Sequence, residues 1–253
     1  MKRKVLEANL RYYENEGWQR ISSSNRRQMA AHLRQLIELI ELPAGTCVMD
    51  VGTGAGFALS LMRRHLRGYS TLLGADISYK MLQCAKGNEK EATFVQVEGE
   101  RLPIESETCG AVFFVSVLHH VYAPLDTLVA ESARILCAKG YLVIAQEPNR
   151  FVNGALNYFR KLLGLWPAEE TTMAEYHQFK TNGIPIRSLI ARLEQFDFDV
   201  LKIHYTNAAL ADELENKLGG WARVFNFFLL HLQNPLCSLS YSLVAQKRTS
   251  RNQ

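Results

Sequence analysis

Two carboxylates and three glycines are the residues best spaced for chemistry in this chain of 253 residues. Asp50 ends a short apolar run that begins at Cys47, and Gly52, Gly54 and Gly56 follow at alternate positions with Thr53 between them. An apolar-periodic segment comes next, so the pattern predicts a strand turning tightly into a helix. Such a turn lets main chain approach a ligand with no Cβ in the way. The helix also aims its unpaired first-turn N–H groups into that space. Asp76 stands twenty residues beyond Gly56, behind a second apolar run from Thr71 to Ala75. A carboxylate there has acceptor capacity for both hydroxyls of a ribose. A dinucleotide fingerprint would need a third glycine three positions after Gly54; Phe57 occupies it, which breaks that pattern.

The second group of candidates is histidine. His119 and His120 follow the fourth apolar run, and either could take a proton near neutral pH. His177, beside Tyr176 and Phe179, is a rival base or a residue lining a lid. Capping or packing the loop is the structural reading of the pair. Glu147, at the end of the fifth run, could orient an acceptor or act as an ordinary turn acid.

Alternating elements must position these groups. Met29, Leu33, Leu36, Ile37 and Ile40 have helical spacing ahead of Pro43 and Gly45, with N-cap candidates at Ser22 to Asn25. A strand covers Cys47 to Asp50, a helix runs to about Leu66, and a strand covers Thr71 to Ala75. A helix capped by Ser78 follows, and then strands at Thr93 to Val97, Ala111 to Val115 and Tyr141 to Ala145. The helix between the last two starts near Pro124, and Lys139–Gly140 is the turn that follows it. Further on are a helix from Ile186 to Phe196, a strand from Val200 to Tyr205, and a final strand from Ser238 to Ala245 expected at the sheet edge. This alternation predicts a doubly wound α/β domain whose mostly parallel sheet carries helices on both faces. Its ligands sit beyond the carboxyl ends of the strands, where Asp50, Asp76, Glu98, Ser116 and Glu147 all fall.

At this point the chain resembles a known family. V-M-D-V-G-T-G-A-G is similar to motif I of the class I S-adenosylmethionine (SAM) methyltransferases of the ubiquinone/menaquinone-biosynthesis type. G-A-D-I-S-Y-K-M-L, E-G-E-R-L-P, V-S-V-L-H-H-V and A-R-I-L-C-A-K-G-Y-L-V-I resemble that family's later motifs, in order, over residues 46 to about 147. The resemblance implies a Rossmann-like, seven-stranded fold and a SAM cofactor. It implies that the Gly52–Gly56 backbone, Thr53 and Ser116 lie against the cofactor, that Asp50 holds its amino group and that Asp76 holds its ribose. Ile77 and Met81 would contact the adenine, Glu98 would accept from the adenine amino group, and the Gly99 N–H would donate to a ring nitrogen. Glu98 stands where the family has aspartate, Cys109–Gly110 where it has F-D, and Lys139–Gly140 where it has G-G.

The organisation expected from this is a helical cap over 1–45 and a methyltransferase domain over 46–253, with insertions at about 150–182 and 207–237. Phe151, Ala155, Tyr158, Phe159, Leu162 and Trp166 have helical spacing in the first insertion. A lid over an apolar acceptor, a helix on a membrane surface and ordinary packing are its three readings. The second insertion carries Trp221 and the aromatic run from Phe225 to Phe228. The N-terminal aromatics Tyr12, Tyr13 and Trp18 could close over the cofactor.

Composition narrows the class. Hydrophobic residues make up 47%, ample for a core, and the net charge of +4 is scattered along the chain rather than gathered into a nucleic-acid footprint. Five cysteines without C-x-x-C spacing point away from a zinc site and toward buried free thiols, and no metal is expected. No apolar run reaches the roughly 18 residues of a spanning helix, so the expected setting is cytoplasmic. The reaction expected is O- or C-methylation of a small, fairly apolar acceptor such as a quinone, lipid or secondary metabolite. A tRNA-modifying methyltransferase and a non-catalytic SAM-binding module are the alternatives. Peripheral membrane contact and a homodimer are left open.

Overall fold

The computed structural model describes residues 2–15, 23–97, 101–121, 124–207 and 233–249. Two helices open the chain, α1 (Lys2–Asn15) and α2 (Ser23–Ile37). There follow β1 (Cys47–Val51), α3 (Phe57–His65), β2 (Thr71–Asp76), α4 (Tyr79–Asn88), β3 (Thr93–Gln96), β4 (Cys109–Val115), α5 (Leu125–Ile135) and β5 (Leu136–Pro148). Next come α6 (Arg150–Leu162), α7 (Glu169–Ala174), α8 (Tyr176–Lys180), α9 (Ile186–Gln195), β6 (Phe198–Thr206) and β7 (Ser240–Lys247). Seven strands form one sheet in the order β3-β2-β1-β4-β5-β7-β6. All neighbours pair in parallel except β7, which is antiparallel to β5 and to β6. The strand order reverses between β1 and β4, which opens a crevice at their carboxyl ends, the place where such sheets bind ligands.

Alternation along β1 sorts the two hydrophobic layers. Met49 and Val51 pack with Leu128 and Val129 of α5 and Leu189 and Leu193 of α9. Val48 faces the other way, with Leu33, Leu36 and Ile37 of α2 and Leu59 and Met62 of α3. Each such fully buried side chain contributes about 1.5–3 kcal/mol. The two N-terminal helices therefore do different work. α2 closes the core, whereas α1 lies over the ligand side and reaches α4 and α7.

Three features differ from the sequence expectation. β7 is interior, not at the edge, because Leu243 and Val244 bury on opposite faces of the sheet; the half-exposed β6 is the edge strand. β5 starts at Leu136 and absorbs the expected Lys139–Gly140 turn as an irregularity. Lys139 has φ 61°, and the pairing with β4 jumps from Cys109↔Leu136 to Ala111↔Tyr141. Of the five thiols only Cys109 is buried; Cys84 and Cys237 are exposed. Other boundaries agree to within a few residues, and Ser78 caps α4 by accepting from the Met81 N–H at 3.3 Å. The aromatic run from Phe225 to Phe228 lies outside the described residues, as do Trp18, Glu98 and Gly99.

Candidate active site

A cavity of about 820 Å³ lies at the crevice, bounded by the glycine turn, the ends of β2 and β4, and α1. Asp50, Gly52, Thr53, Gly54, Gly56, Asp76, Ile77, Met81 and Ser116 all line it, as do His119 and His120. His177 does not.

The glycine turn is shaped by its neighbours. Gly52 and Thr53 both donate to the Ala75 carbonyl, at 2.7 and 2.9 Å, which ties the turn to β2. Gly52 has φ +73°, and a Cβ there would meet Val117 at 2.5 Å. Gly54, at φ +52°, faces open space, so the main chain is bare toward the cavity. Its N–H donates to Asp76 Oδ2 at 2.8 Å, and the Ser78 N–H donates to Asp76 Oδ1 at 2.9 Å. Burial raises the Asp76 pKa and these N–H groups offset it. Each carboxylate oxygen keeps acceptor capacity for a ligand hydroxyl.

Asp50 is different. It is 1% exposed, and neither of its oxygens has a hydrogen-bond partner. Burial pushes its pKa up to about 7, with the Thr53 hydroxyl offsetting part of this and Asp76 adding to it. That hydroxyl lies near the carboxylate but outside hydrogen-bond geometry, and is itself unsatisfied. Unpaired buried acceptors of this kind cost free energy unless a ligand supplies the donors.

Across the cavity is a polar cluster drawn from four separate segments. Glu147, fully buried, accepts from the N–H groups of Val117, Leu118 and His119 at 2.9–3.0 Å and from His119 Nδ1 at 3.0 Å. The bulge that aims it is marked by Gln146 at φ 62° and a register shift against β7. His119 Nε2 lies 3.3 Å from Glu175, which sits between α7 and α8. Burial alone would lower the His119 pKa, but the two carboxylates prevail and carry it up to about 10. His119 is thus an imidazolium with both N–H groups engaged. Burial would raise Glu147 as well, yet His119 and the loop N–H groups hold it below the usual carboxylate range.

His120 has the opposite character. Burial and the neighbouring His119 lower its pKa, leaving a neutral ring. Its Nδ1 lies 3.0 Å from the Ala174 carbonyl, which assigns the proton to that nitrogen and leaves Nε2 as an acceptor. Tyr13 of α1 sits 2.8 Å from Nε2. Asn9, one turn earlier, donates to the His120 carbonyl at 3.0 Å, and its own Oδ1 is unsatisfied. His177 stands behind the cavity. Its N–H donates to the His119 carbonyl at 2.8 Å and its Nδ1 is 3.1 Å from the Thr181 hydroxyl. Glu175 and Asn9 were not visible in the sequence pattern, because nothing in their local spacing marks them.

Residues 49–144 match the family described as methyltransferase domain. The malonyl-[acyl-carrier protein] O-methyltransferase of Marinomonas sp. (strain MWYL1) is 29% identical over 116 residues, 45% of this chain and 42% of that protein. The chain thus spans about two-fifths of the length of the curated relatives it matches. The methyltransferase solved in complex with the Haloferax volcanii Trm112 methyltransferase activator superposes with TM-score 0.64 at 15% identity, over 100% of both chains. The geranyl diphosphate C-methyltransferase of Streptomyces coelicolor A3(2), solved with Mg2+, geranyl diphosphate and S-adenosyl-L-homocysteine, gives 0.60 at 14% identity over 97% of this chain and 98% of that one. At these identities the structural likeness establishes the fold. The residues present fit SAM: Asp50 offers two unpaired oxygens to an ammonium, Asp76 has capacity for ribose hydroxyls, and the Gly54 backbone is open. Residues 49–144 carry the similarity to the methyltransferase domain family, and the sheet around them has the Rossmann-like fold of the solved methyltransferases.

Proposed function

We propose that this chain transfers a methyl group from SAM to a small, fairly apolar acceptor held under α1. The observation that carries this reading is the buried, unpartnered carboxylate of Asp50 at the glycine turn, facing the histidine cluster across one cavity. Bound SAM would supply a methyl group on a sulfonium, ready for in-line displacement. Asp50 holds the cofactor ammonium and Asp76 its ribose, which fixes the direction of the methyl; such positioning is worth up to about 7–11 kcal/mol. Glu147 and Glu175 outnumber the His119 cation beside the cavity, so this wall favours positive charge.

The role of base goes to His120 rather than to His119 or His177. His119 is protonated and engaged on both sides, and His177 lies off the cavity. His120 Nε2 takes the Tyr13 proton while Tyr13 Oη receives one from the acceptor. A relay of this kind is worth roughly 10²–10⁴ in rate. Val5, Leu6, Met29 and Phe57 supply apolar lining from α1, α2 and α3, which suits an apolar acceptor body. The aromatic residues of α6 give this acceptor no support, since they do not line the cavity. The named activities of the relatives, methylation of malonyl-[acyl-carrier protein] and of geranyl diphosphate, accord with small-molecule O- or C-methylation.

Incubation with methyl-labelled SAM and a panel of apolar phenols, carboxylic acids and prenyl compounds tests the proposal. Label in a small organic product supports it. Tight SAM binding with label in none of them, or label only in tRNA, overturns it.

A further inference from the structure

Helix α6 is built inside out. Its buried side chains are Asn153 and Asn157, and both donate to the Gln178 carbonyl, the latter at 2.8 Å. Asn157 also donates to Asn182 at 3.0 Å. The apolar residues occupy the opposite face: Phe151, Tyr158, Phe159 and Leu162 are 55–67% exposed, and Leu163 and Leu165 just beyond the helix are each 66% exposed. A surface helix of a soluble domain normally has the reverse arrangement, and a contiguous exposed patch of this kind marks an interaction site.

Charge indicates what covers it. Over Arg150–Leu162 there are three cations, Arg150, Arg160 and Lys161, and no acid. Lys161 lies over the Trp166 ring at 4.5 Å, at the border of the apolar face, whereas Arg160 is turned to the inward side, over the buried Phe179 ring at 5.5 Å and donating to Asn157 Oδ1 at 2.8 Å. A two-fold contact between copies would set these like charges against each other around one axis, which disfavours a second chain as the occupant. Among the described residues no helix is long and apolar enough to cross a membrane, so the face can lie on a bilayer but not pass through it. Aromatic and leucine residues on one side with basic residues at the border are the composition of a helix seated at a lipid interface.

We infer that α6 docks the protein on an anionic lipid bilayer, with its aromatic face in the headgroup boundary and Arg150 and Lys161 against lipid phosphates. One link from the docked helix to the active site runs through α8 (Tyr176–Lys180). Gln178, whose carbonyl takes the bonds from Asn153 and Asn157, lines the cofactor cavity.

Flotation of the full chain with phosphatidylglycerol-containing vesicles, compared with pure phosphatidylcholine vesicles at low and high salt, tests this. The chain floats with the anionic vesicles and is released by salt. Combining Phe151→Ser, Tyr158→Ser and Phe159→Ser lowers partitioning by at least about 100-fold. Combining Arg150→Gln and Lys161→Gln lowers it about 20- to 30-fold for anionic vesicles only. Both variants keep wild-type SAM affinity, which separates lost docking from lost folding and from failure of the methyltransferase reading. Three outcomes overturn the inference: no flotation with anionic vesicles, equal flotation of the aromatic variant, or a lipid-free dimer that the aromatic substitutions dissociate. Oxidative labelling that finds Tyr158 and Phe159 already protected without lipid would do so as well, since other residues of the chain would then cover the face.

Discussion

Asp50 and Glu147 are both buried acids on the rim of one sheet, and they are held in opposite ways. Glu147 accepts from three backbone N–H groups and one imidazolium. Asp50 accepts from nothing, and burial pushes its pKa up to about 7. A fully satisfied buried carboxylate is architecture, and an unsatisfied one is reserved for a ligand. The wall around Glu147 is complete before anything binds, and it fixes the loop that carries His119 and His120. Under the proposed function, a cationic ligand would complete the wall around Asp50.

That contrast can be broken at several points. The largest effect is expected for Glu147→Gln, which takes from the buried His119 imidazolium one of its two carboxylate partners. It should cost about 3–5 kcal/mol of stability by denaturant titration, and a loss under about 1 kcal/mol would mean that the cluster is not structural.

Stability against pH is the next test. The Asp50 pKa is raised from 3.8 to about 7, so the folded ligand-free protein loses stability as pH rises across that window. The difference between wild type and Asp50→Asn should grow over the same window to at most about 4 kcal/mol. His119 adds a second loss between 6.5 and about 10, because its raised pKa stabilises the fold fully only below 6.5. Melting curves that rise from pH 4 to 7 in wild type relative to Asp50→Asn would reverse the sign and refute the assignment.

Asp50→Asn should weaken SAM by at least about 2 kcal/mol, roughly 30-fold by calorimetry, while leaving the ligand-free protein as stable as wild type or more so. The smallest effect belongs to Tyr13→Phe. It should cost about 1 kcal/mol of stability and lower kcat about tenfold or more with little change in SAM affinity. An unchanged kcat would remove Tyr13 from the proton path.

The two walls also differed in how far they could be read from the chain. The Asp50 wall is local: a strand, a glycine turn and a second strand end lie within thirty residues, and each follows from short-range pattern and turn chemistry. The Glu147 wall joins Asn9 and Tyr13, His119 and His120, Glu147, and Glu175, with no spacing rule linking them. Sequence could mark the two histidines but not their protonation: Glu147 and Glu175 hold the proton on His119, whereas burial and His119 itself keep it off His120. The position of β7 was missed because alternation shows a strand's two faces without its neighbours. The aromatic spacing of α6 predicted the helix correctly, but only the structure shows its asparagines facing inward.

Calorimetric titration of SAM in buffers of different ionisation heat tests the central claim most directly. Below the Asp50 midpoint of about 7, binding to wild type should release most of one proton per site. The release should vanish well above that midpoint and be absent in Asp50→Asn at every pH. Proton release that persists unchanged in Asp50→Asn, or none in wild type, would contradict the account.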